Sequence, residues 1–218
     1  MPEENNPIEE IGLRMSSPHS PGEELPDDLI AIRNEFLALA DDESRTKHLY
    51  AATGLALYAA QCFEVELQQI VLVVGKAKGK LASIKAFEEA DADLSKKTLG
   101  RLLKEVHKVV KFDENGMTLL ELALEKRNSL AHGFFQEYSL EFPIKSGKLL
   151  MLDDLLERIA LFRKADWFAG IVTKMMLDQI GLTKEILDKA MARNRAEMEA
   201  KDRTRLCDGA HSGESNLG

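Results

Sequence analysis

Arg127, Asn128 and His132 lie within one short stretch, and together they carry a recognisable chemistry. An arginine fork binds a phosphate through two parallel hydrogen bonds. An imidazole with a pKa near 6.5 takes up or gives a proton at neutral pH. With no metal ligand nearby, the set suits cleavage of RNA through its own 2′-hydroxyl. His132 would move the proton, and Arg127 would stabilise charge on the phosphorane-like transition state. A bland reading stands beside this one. A cation in the last turn of a helix is favoured by the helix dipole by roughly 0.3–1 kcal/mol, so both residues also fit a structural role.

The spacing predicts that these residues share one helix. Thr118 followed by Glu121 reads as a capping box, and Met117 with Leu122 as its hydrophobic staple. Gly133 reads as the residue that ends the helix. Asn128 and His132 are four apart and fall on one face. Arg127 points roughly 140° away from His132 on an ideal helix, so a second copy of the chain is one way to join them. An earlier helix over 46–74 carries the apolar stripe Leu49, Ala52, Ala56, Ala59, Phe63, Leu67, Ile70 and Val74. Leu57, Val65 and Leu72 lie off that stripe, which predicts a helix surrounded by others. Gln61, Glu64 and Gln68 align as a narrow polar stripe on it, fit also to bond neighbouring helices.

Further helices are expected over 27–39, from about 95–98 to 110, over 153–180 and over 183–203, with Asp27 or Asp28 capping the first. Residues 112–116 read as a turn. Residues 138–151 alternate like a short hairpin, although Pro143 weakens that pattern. The glycines at 75 and 79 sit in a lysine-rich connector with no phosphate-loop pattern. Five of the six prolines precede residue 27, which leaves the body free to form long helices. The expected organisation is a disordered tail over 1–26, one helical domain over 27–203 and a second disordered tail over 204–218.

Composition narrows the function classes. The net charge of −8 argues against an extended nucleic-acid footprint and leaves room for a local basic site. Residues 96–135 carry eight basic side chains against five acidic ones, a balance equally expected of a solvated helix face. Cys62 and Cys207 build neither a disulfide framework nor a metal pair, and Cys62 reads as a small core residue. No histidine pair has ligand spacing, so neither metal nor cofactor is expected. His107 reads as a surface residue, and Trp167, Phe162 and Phe168 as core. The polar N-terminus has no secretory pattern, and the unbroken apolar runs, 70–74 among them, are too short for a membrane span. The expectation is a cytoplasmic protein away from the membrane.

The stretch Glu125-Lys126-Arg127-Asn128-Ser129-Leu130-Ala131-His132-Gly133-Phe134-Phe135 resembles the Rx4–6H signature of HEPN domains, including the polar residue after the arginine. Thr98 to Leu103 and the helix around 55–67 also resemble an uncharacterised bacterial HEPN-like group. The resemblance spans about 46–180 in layout and is specific over 96–135. It implies an all-α bundle of five to six helices, often a homodimer. Many such proteins are metal-independent ribonucleases of toxin–antitoxin, phage-defence or RNA-processing systems. It assigns the catalytic pair to Arg127 and His132, with Asn128 beside them, and an acidic support from an earlier helix. Glu64, sharing its stripe with Gln61, is the candidate for that support. Implied partners are RNA and an antitoxin or nucleotidyltransferase-like protein. The rival expectation is a non-catalytic HEPN-like module that binds a nucleotide, RNA or protein partner.

Overall fold

The computed structural model describes residues 24–211, and among them the chain is all-helical. Of the disordered tails expected over 1–26 and 204–218, residues 1–23 and 212–218 lie outside the described residues. Two compact units divide the chain, one ending at Met176 and the other beginning at Leu177, a division not drawn from the sequence.

In the first unit, α1 (Asp27–Ala38) starts directly after Pro26, with no side-chain cap. Asp28 instead pairs with Arg163 at 2.6 Å. α2 (Asp42–Ala77) is capped by Asp41, whose carboxylate accepts from the Ser44 N–H at 2.7 Å. Every residue of its expected apolar stripe is buried. Leu72, off the stripe, is buried too, while Leu57 and Val65 are exposed, so α2 is surrounded only in part. Its inner face packs on α3 (Ile84–Leu94), α4 (Leu99–His107) and α5 (Glu114–His132). By length and composition α2 would also pass for a membrane span, with 44 % of the qualifying window buried within the bundle.

α5 begins one turn before the expected capping box. Asp113 is its cap, accepting from the Gly116 N–H at 2.8 Å. Thr118 already lies inside the helix and donates back to the Glu114 carbonyl. The turn expected over 112–116 is thereby largely absorbed. Gly133 does follow the last helical residue, yet its φ of −134° is not left-handed, and the short α6 (Phe134–Glu137) follows at once.

No strand forms over 138–151. Turns lead through Pro143 into α7 (Lys145–Gln179), which starts eight residues earlier than the expected position 153. Gly147 makes that start feasible. A Cβ there would sit 2.1 Å from the Glu141 carbonyl oxygen, so only glycine lets the helix lie against the preceding turn. α7 supplies much of the core, including Leu155, Ile159, Phe162 and Phe168. Trp167, expected with them, is 62 % exposed. It follows the apolar run in sequence but lies roughly 80–140° around the helix from Leu155, Ile159 and Phe162, off their buried stripe.

In the second unit, Gly181 takes a left-handed φ of +75° and marks the break before α8 (Lys184–His211). α8 continues past the expected end at 203, through 204–211, because no proline interrupts it. Its described apolar side chains, Ile186, Met191 and Met198, are exposed.

Candidate functional site

The last two turns of α5 carry the motif. Leu130 and Ala123 anchor the helix on the core, which leaves Arg127 at the α2 side. Its Nη2 donates to Glu64 Oε2 at 3.2 Å, with side-chain exposures of 26 % and 18 %. Its Nη1 donates to Asn128 Oδ1 at 3.4 Å. Glu64, Arg127 and Asn128 therefore form one cluster, and the guanidinium keeps an open edge. A partly shielded carboxylate beside an arginine fixes the fork's orientation more than it adds stability.

His132 ends the helix, exposed, and its ring has no side-chain partner among the described residues. It stays on the far side of α5 from Arg127, as the angular spacing requires. Gln61 is exposed and makes no hydrogen bond to the cluster. Among the stripe residues, Glu64 alone is drawn to Arg127.

A second network, not foreseen from the sequence, fixes this end of α5. Arg158 on α7 is buried. Its Nη1 donates to the Lys126 carbonyl at 3.0 Å and to Ser129 Oγ at 3.1 Å. Its Nε and Nη2 donate to Asp154 Oδ2 at 3.1 and 2.8 Å. The guanidinium lies 5.2 Å from the centre of the Phe134 ring. Ser129 Oγ also donates to Glu137 at 3.1 Å, and the Tyr138 hydroxyl donates to Asp154 Oδ2 at 3.0 Å. Burial, reinforced by the Asp154 charge, pushes the Tyr138 hydroxyl up to about 12. It therefore stays a neutral donor at physiological pH. The residues flanking Arg127 on both sides, Lys126 and Ser129, are thus tied to α7. The available sequence signal was the four-residue spacing of Asp154 and Arg158 inside the run Leu152, Leu155, Ile159, Phe162, where charges on a core helix need partners.

Other expectations shift. His107 is half-buried and not on the surface. Its Nε2 is shielded without a hydrogen-bond partner, and burial lowers its pKa. It sits there because Phe112 folds against it, ring centres 6.2 Å apart. Cys62 is half-buried beside the Tyr58 hydroxyl. No group of three or more His, Cys, Asp or Glu gathers among the described residues as it would around a metal ion.

No protein-family model matches the chain, and no curated protein or solved structure is significantly similar to it.

Proposed function

We propose that this protein is a metal-independent endoribonuclease of HEPN type, acting as a homodimer in the cytoplasm, in a toxin–antitoxin or phage-defence role. The observation that carries the reading is the pairing of an oriented, partly open arginine fork with an unpartnered histidine on the same helix end. In this reading His132 accepts the proton of an RNA 2′-hydroxyl. The 2′-oxygen attacks the adjacent phosphorus, the bond from phosphorus to the 5′-oxygen breaks, the 5′-oxygen takes a proton from water, and Arg127 holds the equatorial oxygens of the transition state. The products are a 2′,3′-cyclic phosphate and a 5′-hydroxyl. Because Arg127 and His132 occupy different sides of α5, the reading joins Arg127 of one copy to His132 of the second. Glu64 and Asn128 orient the fork.

The test is cleavage of a mixed RNA pool in EDTA, with ends identified by mass. Wild type should leave cyclic phosphate ends. Arg127→Ala and His132→Ala should each lose about 100-fold or more in rate, with helicity unchanged by circular dichroism. Glu64→Gln should fall less than either. A folded wild type that binds RNA without cutting it moves the reading to the non-catalytic binding module. Equal cleavage by all variants sinks the site assignment.

A further inference from the structure

Beside the end of α5 three aromatic rings frame an open depression of about 440 Å³, with Ser139 at its lip. Tyr50 of α2 and Phe142 of the turn before α7 lie nearly parallel, 27° apart with ring centres at 6.2 Å. Phe135 of α6 stands edge-on to both, at 5.8 and 6.1 Å. Tyr50 is 53 % exposed and Phe135 41 %. The Lys148 ammonium lies 5.4 Å from the centre of Phe142. That ammonium is buried and held by Asp42 at 2.6 Å. Phe134, fully buried, packs edge-on to Phe135 at 5.3 Å.

We infer that this depression binds one unstacked nucleobase of the RNA and so sets where the strand meets His132. Three observations select a base over an aliphatic side chain. Tyr50 and Phe142 stack on each other and leave no slot between them, but the exposed ring surface of Tyr50 and Phe135 rewards a flat π-system, which gains stacking as well as burial. The Ser139 hydroxyl offers both a donor and an acceptor to a base edge. His132 precedes Phe135 by three residues, so their Cα atoms lie within about 11 Å of each other, close enough for one strand to reach both. The local carboxylates have partners or are shielded: Asp42 pairs with Lys148 and stays exposed, as does Glu137. Glu137 is engaged by Ser129 and lies 3.9 Å from Arg158, and Glu141 Oε2 is shielded from solvent.

The inference rests on RNA being the substrate, but its test needs no cleavage. The full chain carrying His132→Ala serves as parent. The probes are a labelled short mixed-sequence single-stranded RNA and the same strand with abasic sugars, followed by fluorescence polarisation. Tyr50→Leu and Phe135→Leu remove one ring each. Ser139→Trp fills the depression from an exposed position, where folding is least at risk. Each change should weaken binding of the normal strand by about 5- to 100-fold. The abasic strand should bind the parent correspondingly less and should not respond to the three changes. Equal affinity of parent and folded variants overturns the inference, as does equal binding of both strands, or binding of neither. If Ser139→Trp splits a dimer in sedimentation while RNA affinity holds, the depression is a self-association face and the inference falls. Base-dependent binding without any wild-type cleavage would sink the ribonuclease reading and leave this one standing.

Discussion

Glu66 and Asp166 show how packing sets the behaviour of single side chains. Both sit half-buried where α2 and α7 meet. Burial is the main cause that raises each pKa, and for Glu66 the Asp166 charge adds to it against a hydrogen bond from Thr173. A carboxyl that holds its proton more tightly when folded adds stability below its unfolded pKa. That contribution is lost as pH rises through the folded value. The ordinary values are 4.5 and 3.8, so the loss falls above that acidic range. Glu66→Gln should therefore raise the urea midpoint at about pH 7, and the advantage should shrink as pH falls toward about 4. A midpoint difference that ignores pH would refute the assignment. Neither residue is conspicuous in the sequence, because burial in this bundle depends on which faces meet. Glu64 was legible for the opposite reason. It belongs to a polar stripe on an apolar helix, and such a stripe calls for a partner. Arg127 is long enough to be that partner, whereas Gln61, one turn earlier, remains in water.

The end of α5 is the element on which the proposed chemistry depends, and α7 holds it. Arg158 bonds one backbone carbonyl, one hydroxyl and one carboxylate of Asp154 from a buried position. Arg158→Met should cost about 3–5 kcal/mol in urea unfolding, since Asp154 is left shielded and without its cation. Adding Asp154→Leu should recover much of that loss. If the single change costs less than about 1 kcal/mol, Arg158 does not anchor the helix. The helix periods of α2, α5 and α7 were readable because their apolar stripes are long. Their beginnings were not. Asp113 outcompeted Thr118 as cap because its carboxylate meets the Gly116 N–H. The start of α7 turned on Gly147, whose missing Cβ matters only once the chain has folded back on Glu141. Pro143, read as spoiling a hairpin, instead sits in the turn that precedes a helix, a usual place for proline.

For the whole molecule, the buried apolar side chains among the described residues all precede Leu177. A chain ending at Gly181 should therefore keep one cooperative thermal transition, within a few degrees of the full-length value, when followed by circular dichroism. A broad or strongly lowered transition would mean that the first unit does not fold by itself. The all-helical class was legible from scarce proline and abundant Ala and Leu. The division at Met176 was not, because no glycine- or proline-rich linker announces it. The position of the single tryptophan also has a spectroscopic consequence. Trp167 is mostly in water while the core around Phe162 and Phe168 is closed. Its emission is already that of a hydrated indole in the native state, so unfolding changes its colour little. A blue shift would report a surface settling over the outer side of α7, which makes intrinsic fluorescence a gauge of association instead of folding.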